Sequence, residues 1–221
     1  MTKHDVKLRY DEGCLVSHAL NLIGDRWALQ VVRELVFGPK RFQMIRAGIP
    51  GITASVLTAR LTQLAQAGVV HHDRKLGIYM LTDAGHGLLP VLESLCRWAM
   101  TVPGHDPTRF ISPSALMISM GVNLVATPEE EAVAGFDFGN ESFRMTVRNG
   151  KVQTVAMQAP DTPFVLKGSG NGLAFAIYGT APLVLMIAKG FVSAEGDLSA
   201  AQGFVNLFRL GSGGTKKTST G

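Results

Sequence analysis

Apolar residues recur at helical spacing within residues 48–72, GIPGITASVLTARLTQLAQAGVVHH. Leu57, Leu61 and Leu64 fall at positions i, i+4 and i+7, which predicts one apolar face on a helix. Thr53 precedes this pattern where an N-cap residue belongs. The residues between the leucines are short, polar or cationic, and none is acidic. Such a face suits the major groove of DNA, and it would also suit simple contact with solvent.

The flanking segments predict short elements on both sides of this helix. Three helices are expected before it, at residues 14–22, 26–37 and 41–47. Two strands joined by a tight turn are expected after it, at residues 69–74 and 78–81, and a further helix begins after Thr82. This order is that of a winged helix, in which the hairpin reaches the DNA backbone or minor groove beside the recognition helix.

Charge is unevenly distributed along the 221 residues. Residues 1–104 contain 12 Lys and Arg against 8 Asp and Glu, whereas residues 105–211 contain 7 against 9. Apolar residues make up 46% of the chain, which is enough to form a core. The distribution predicts a polyanion-binding module joined to a second, slightly acidic one.

Spaced motifs in the basic half carry a family resemblance. GDRW at residues 24–27, ITxxxLxxRLxxL at residues 52–64 and AGVV at residues 67–70 follow one another in order. Over residues 9–100 the chain therefore resembles the HxlR-type winged helix-turn-helix regulators. The resemblance implies a dimeric, DNA-binding transcription factor. The chain departs from the family in its short wing, residues 71–77, which leaves the DNA contacts of the wing open.

The polar residues of the recognition helix are the first candidates for DNA contact. Arg60 carries five N–H donors and could contact a phosphate or a guanine edge. The predicted DNA contacts on this helix are Thr53, Ala54, Ser55, Thr58, Arg60 and Gln63.

Cations outside the helix add a second group of candidates. Arg41 and Arg46 flank the helix-turn-helix turn, and Arg74 and Lys75 occupy the tip of the wing. These four are predicted to contact phosphates rather than to read bases. Arg26 adjoins Asp25 in the sequence, so that it is expected either to form a salt bridge or to contact a phosphate.

The last helix of the first half has apolar residues on more than one face. Leu88, Leu92, Leu95 and Trp98 form its main stripe. One small domain would not cover all of this surface, so a homodimer interface is favoured over packing within the domain. A two-fold axis would place two recognition helices on half-sites about 10 base pairs apart, or a multiple of that.

The chain beyond this helix predicts a linker and a second domain. Residues 102–113, VPGHDPTRFISP, contain three prolines and one glycine. The elements expected after them are a helix at 114–124, strands at 131–138, 142–148, 151–158 and 163–167, helices at 170–178 and 181–188, a strand at 191–195 and a helix at 199–210. The predicted organisation is a DNA-binding and dimerisation domain at 1–101, the linker at 102–113, a ligand-binding domain at 114–211 and a flexible tail at 212–221.

A second resemblance concerns the C-terminal half. DTPFVL at residues 161–166, AKGFV at 188–192 and EGD at 195–197 resemble a sterol-carrier-protein-like domain. That resemblance implies an α+β fold with an antiparallel-rich sheet and an apolar tunnel for lipids. Residues expected either to fill the core or to line such a cavity are Leu116, Met117, Met120, Leu124, Leu183 and Met186.

The remaining reactive residues predict little chemistry. Cys14 and Cys96 lack metal-ligand spacing and suggest a reducing, cytoplasmic setting. Cys14 lies just before the first helix and is either a redox-sensitive thiol or a small buried apolar side chain. No cofactor, metal site or catalytic arrangement is expected, so an enzyme is not predicted. No apolar run reaches the ~18–20 residues of a membrane span.

These patterns together predict a cytoplasmic, homodimeric DNA-binding regulator. It would bind a palindromic operator, act as a repressor, and respond to an apolar small molecule held in its C-terminal domain. The alternative is that the C-terminal domain is a lipid carrier or a purely structural or dimerisation module, without ligand control of DNA binding.

Overall fold

The computed structural model describes residues 9–211, which form two compact units. The first unit comprises the described residues up to Leu35 together with Pro39–His86. The second comprises Val36–Gly38 and the described residues from Gly87 onward. The predicted tail at 212–221 lies outside the described residues. Between residues 9 and 211, every helix is too short or too polar to cross a membrane.

The first unit combines five helices with a three-stranded antiparallel sheet in the order β1-β3-β2. Its elements are α1 (Leu15–Ile23), α2 (Ala28–Leu35), β1 (Lys40–Arg41), α3 (Phe42–Ala47), α4 (Ala54–Gln66), β2 (Val70–Asp73), β3 (Ile78–Leu81) and α5 (Asp83–His86). The predicted winged helix is confirmed. Strand β1, which pairs with β3, adds an edge to the wing that the sequence did not predict.

Helix α4 forms where the apolar spacing and the capping residue agree. Thr53 is its N-cap, and the Thr53 side chain accepts a hydrogen bond from the backbone N–H of Val56 at 3.3 Å. Leu57, Leu61 and Leu64 are all buried against the rest of the unit. The opposite face is exposed and contains no acidic residue, so α4 presents a polar, acid-free surface to solvent.

The second unit is an α+β arrangement around a five-stranded sheet. Its elements are α6 (Leu89–Ala99), α7 (Pro113–Val122), β4 (Ala132–Asp137), β5 (Ser142–Arg148), β6 (Lys151–Ala156), β7 (Phe164–Lys167), α8 (Gly170–Tyr178), α9 (Leu183–Ala188), β8 (Ser193–Gly196) and α10 (Leu198–Val205). The strand order is β6-β5-β4-β7-β8. Only the β4–β7 pair of this sheet is parallel.

One face of this sheet carries the core of the second unit. Phe136 of β4, Phe143 and Met145 of β5, and Leu166 of β7 are all fully buried in one apolar cluster. Alternate residues point to opposite faces of a strand, which explains why Phe143 and Met145 lie on the same side. Since every neighbouring pair of the sheet except β4–β7 is antiparallel, the expected antiparallel-rich sheet is present.

Helix α6 belongs with the second unit, although the sequence placed it at the end of the first domain. It packs on α7, and the boundary between the units falls after His86. The chain forms neither helix nor strand between α6 and α7, where the linker at 102–113 was expected. That the DNA-binding and dimerisation domain ends at residue 101 stays a prediction.

Candidate nucleic-acid interface

The first turns of α4 present a group of exposed short side chains. Thr53, Ala54, Ser55 and Thr58 are all exposed. The Thr53 and Ser55 hydroxyl oxygens lie 3.1 Å apart, and the Thr58 hydroxyl donates to the Ala54 carbonyl at 2.9 Å. These contacts fix the hydroxyl groups in place while leaving acceptor capacity for a ligand. Thr62 is exposed one turn beyond Thr58; the i, i+4 spacing could have identified it as part of the same face.

Arg60 and Gln63 lie away from that group, on the flank of α4. Arg60 Nη1 lies 3.1 Å from Asp25 Oδ2, and the Arg60 side chain is only 15% exposed. Arg60 Nη1 also donates a hydrogen bond to Gln63 Oε1. Asp25 Oδ1 in turn accepts from the Trp27 backbone N–H at 3.0 Å. Arg60 can therefore reach DNA only after this ion pair opens, and its DNA contact stays a prediction.

The basic side chains expected to flank α4 are exposed. Arg41 and Arg46 lie on β1 and α3, before the turn that leads to α4. Arg26 is also exposed, with its guanidinium carbon 5.1 Å from the centre of the Trp27 ring. The sequence left two roles open for Arg26, a salt bridge with Asp25 or a phosphate contact. Asp25 pairs with Arg60 in the structure, which favours the phosphate contact for Arg26.

The tip of the wing is an ordered turn with exposed cations. Asp73 Oδ1 accepts hydrogen bonds from the backbone N–H groups of Lys75 and Leu76, at 2.9 and 3.1 Å. Such side-chain bonding mimics a backbone turn. Gly77 closes the turn with φ +65°. Arg74 and Lys75 are both exposed there, so the short wing still presents two cations in a defined place.

A buried ionic cluster, which the sequence did not predict, supports the turn between α3 and α4. The fully buried Glu34 carboxylate lies 2.8 Å from Arg33 Nη2 and 3.2 Å from Lys40 Nζ. Arg33 also donates to the Gly48 carbonyl at 2.7 Å. The cluster therefore joins α2, β1 and the turn that leads into the recognition helix. Glutamate inside an otherwise apolar helical face is the sequence signal that could have indicated it.

Comparison with known proteins identifies the family. A family model described as HxlR-like helix-turn-helix matches residues 22–106. HTH-type transcriptional regulator YvaP of Bacillus subtilis (strain 168) is 35% identical over 103 residues, covering 44% of this chain and 88% of YvaP. A second HTH-type transcriptional regulator, from Methanothermobacter thermautotrophicus, is 33% identical over 98 residues, covering 42% of this chain and 75% of that protein. The chain belongs to the HxlR-like family.

The solved structures similar to this HxlR-like protein include quinone-bound YodB from B. subtilis. YodB is 35% identical and matches 38% of this chain and 94% of its own, with a TM-score of 0.36.

Membership of the HxlR-like family makes the chain a DNA-binding transcriptional regulator. The resemblance noted from the sequence is confirmed for residues 22–106.

The predicted dimer stripe of the HxlR-like protein lies on α6 and is only partly exposed. Leu92 is buried and Leu88 is half-buried. Leu95 is 43% exposed and Trp98 63% exposed, and Val91 joins them on the outer surface. The exposed residues fall at i, i+4 and i+7, so they form a continuous apolar stripe. Its role as a dimer interface stays a prediction.

The residues proposed to line a ligand cavity lie in the core of the second unit. Leu116, Met117, Met120, Leu183 and Met186 are each at most 2% exposed. Leu124 is half-buried and packs against the same cluster. The structure therefore brings all six residues together at one core. Both alternatives for these residues, a filled core and a ligand cavity, require this.

Cys14 is the exposed N-cap residue of α1. Hydrogen bonding to the backbone of Ser17, and then of Val16, lowers the pKa of its thiol below the ordinary value. Within a single subunit Cys14 is therefore not a buried apolar side chain, and its redox role stays a prediction. Among residues 9–211, no group of three or more His, Cys, Asp or Glu is placed to hold a metal ion.

Proposed function

We propose that the protein is a homodimeric repressor that binds a palindromic operator through α4. The observation that carries this proposal is the exposed, acid-free start of α4 beside four exposed cations. The hydroxyl groups of Thr53, Ser55 and Thr58 are of the kind that hydrogen-bond base edges and phosphates. The flanking cations, which would neutralise phosphates, are Arg41, Arg46, Arg74 and Lys75. Occupation of a promoter by such a dimer would block transcription.

The proposed homodimer rests on exposed apolar helix faces. On α6, Val91, Leu95 and Trp98 form one outward stripe. On α1, Val16 and Leu20 lie four positions apart and are 66% and 44% exposed. Apolar side chains exposed at helical spacing are typical of surfaces that another subunit covers. A two-fold arrangement would use the same surfaces on both copies.

Selection from random-sequence DNA by the full-length protein tests operator binding. We expect a palindrome whose half-sites lie about 10 base pairs apart or a multiple of that. With four phosphate contacts from each of two protomers, the logarithm of affinity should fall with the logarithm of salt concentration at a slope of about −7, roughly −0.9 per contact. Recovery of single, non-repeated sites would contradict the homodimer, and failure to enrich any sequence would contradict operator binding.

For the second unit we propose a sterol-carrier-like domain that takes up an apolar small molecule. The order of its elements and the methionine-rich surroundings of α7 and α9 support this proposal. A ligand that favours one arrangement of the dimer by about 1–3 kcal/mol would change DNA affinity by roughly 5–150-fold. The close packing of the same residues in the core favours the alternative, in which the unit is purely structural.

Native mass spectrometry of the purified full-length protein distinguishes these two functions for the second unit. A ligand-binding domain is expected to retain an acyl chain or a similar apolar molecule, seen as a mass increment that disappears under denaturing conditions. Identical native and denatured masses would support the structural alternative. Refolded protein exposed to an added fatty acid provides the positive control.

A further inference from the structure

A cleft opens between the segment before α1, α1 itself and the flank of α4, within the first unit. Its volume is about 630 Å³, which falls within the roughly 300–1,000 Å³ of small-molecule sites. Its lining includes Arg9, Tyr10, His18, Asp25 and Gln63. These residues belong to neither the exposed start of α4 nor the apolar core, so the cleft is a separate surface.

The outer wall of the cleft is held in place by two hydrogen bonds. The Tyr10 backbone N–H donates to Asn21 Oδ1, and Asn21 Nδ2 donates to the Tyr10 carbonyl, both at 2.9 Å. One amide side chain on α1 therefore fixes both polar groups of the Tyr10 backbone. Ser17 of α1 also donates a hydrogen bond to Glu12. The segment before α1 is thus attached to α1 at two points. This attached segment forms one side of the cleft.

Most acceptor atoms around the cleft are already engaged. Asp25 uses one carboxylate oxygen for the Trp27 backbone and the other for Arg60, and Gln63 Oε1 accepts from Arg60. Four groups of the lining have no hydrogen-bond or ion-pair partner among residues 9–211. They are the Arg9 guanidinium, the His18 imidazole, the Gln63 amide nitrogen and the Tyr10 hydroxyl. All four can donate a hydrogen bond, and the Arg9 guanidinium is positively charged, so the cleft offers mainly donors to a ligand.

Two residues of the lining add apolar surface to the cleft. Tyr10 contributes a half-exposed ring, and Leu22 of α1 contributes an aliphatic surface. A ligand complementary to both parts combines one anionic group with a compact apolar body. We propose that the cleft binds a small organic anion with an aromatic or aliphatic body, its charge near Arg9 and His18 and its body against Tyr10 and Leu22.

Gln63 connects the cleft to the recognition helix. Gln63 lines the cleft, and its carbonyl oxygen accepts a hydrogen bond from Arg60, which is paired with Asp25. A bound anion that accepts from the Gln63 amide nitrogen fixes the side chain in this orientation and keeps Arg60 paired. Ligand binding should then lower operator affinity, provided that Arg60 contacts DNA. This regulatory part rests on the proposed function, whereas the binding site does not.

Calorimetry with two probes of the same shape tests the site directly. Naphthalene-2-sulfonate carries the anionic group, and naphthalene-2-sulfonamide is its neutral counterpart. We expect full-length protein to bind the sulfonate at least about tenfold more tightly than the sulfonamide, since each tenfold corresponds to 1.4 kcal/mol. Equal affinities for the two probes, or no heat of binding with the sulfonate, would overturn the assignment.

A double substitution and a matched control locate the probe. Arg9→Gln with His18→Gln removes both proposed partners and should abolish the preference for the sulfonate. Arg148→Gln with His105→Gln removes the same two residue types from exposed positions in the second unit and should leave the preference unchanged. Preserved preference in the first variant, or its loss in the second, would place the anion elsewhere.

The regulatory part has its own readout on the selected operator. The sulfonate should lower operator affinity of the unsubstituted protein and leave that of the Arg9→Gln, His18→Gln variant unchanged. Calorimetric binding without any effect on the operator would overturn the regulatory part alone. Because calorimetry uses no DNA, failure of operator binding would be recognised separately as failure of the proposed function.

Discussion

Replacing Glu34 by alanine is expected to lower the free energy of unfolding by about 3–5 kcal/mol, as is typical when one partner of a buried ion pair is removed. The Glu34 carboxylate has no exposure, and Lys40 is only 5% exposed. Removing the carboxylate takes away the negative charge that lies 3.2 Å from the largely buried Lys40 ammonium group. Urea-induced unfolding followed by circular dichroism measures the change.

The matched control is Glu93→Ala, which removes an exposed ion pair from α6. Glu93 Oε2 lies 3.4 Å from Arg97 Nη2, and the Arg97 side chain is 53% exposed. Because solvent screens this pair, its removal should cost only about 0.3–0.5 kcal/mol. A Glu34→Ala effect as small as that of the control would mean that the buried cluster contributes little net stability.

Gly48 supplies a second test of the same cluster. A Cβ at this position would lie 2.2 Å from Glu34 Oε2. The backbone of Gly48 has φ −77°, which alanine adopts readily, so that steric conflict with Glu34 is the main cost of Gly48→Ala. That cost should shrink when Glu34→Ala is also present, which a double-mutant cycle measures as non-additivity. Full additivity would contradict the contact.

The fold was predictable wherever a local pattern specifies an element. The second unit contains a strand at Ser142–Arg148 and a helix at Gly170–Tyr178, both as expected. Asn149 and Gly150 form the expected hairpin turn, with φ +51° and +70°. Strand β1 was missed because two residues have no periodicity, and only a non-local pairing with β3 makes them a strand.

The candidate site was less predictable because it depends on non-local contacts. The spacing of α4 correctly separates its buried leucines from Ser55 and Thr58. Spacing alone does not show that Arg60 pairs with Asp25, since that contact joins α4 to the loop before α2. Likewise, Glu34 meets Lys40 and Gly48 only after α2, β1 and the turn have packed together.

Replacing Ser55 by glutamate is expected to weaken operator binding by about 2–6 kcal/mol, counting about 1–3 kcal/mol in each of two half-sites. Ser55 is exposed in the first turn of α4, within the surface proposed to enter the major groove. A carboxylate there would face phosphates and mostly acceptor-rich base edges. Fluorescence anisotropy with the selected operator measures the loss.

The Ser55→Glu variant should be slightly more stable than the unsubstituted protein. A negative charge in the first turn of a helix interacts favourably with the helix dipole, by about 0.3–1 kcal/mol, so unfolding cannot account for lost DNA binding. Gln153→Glu, an exposed change of equal charge on β6 of the second unit, is the control. Equal losses in both variants would mean that net charge alone governs affinity. Unchanged binding by Ser55→Glu would remove the start of α4 from the DNA interface.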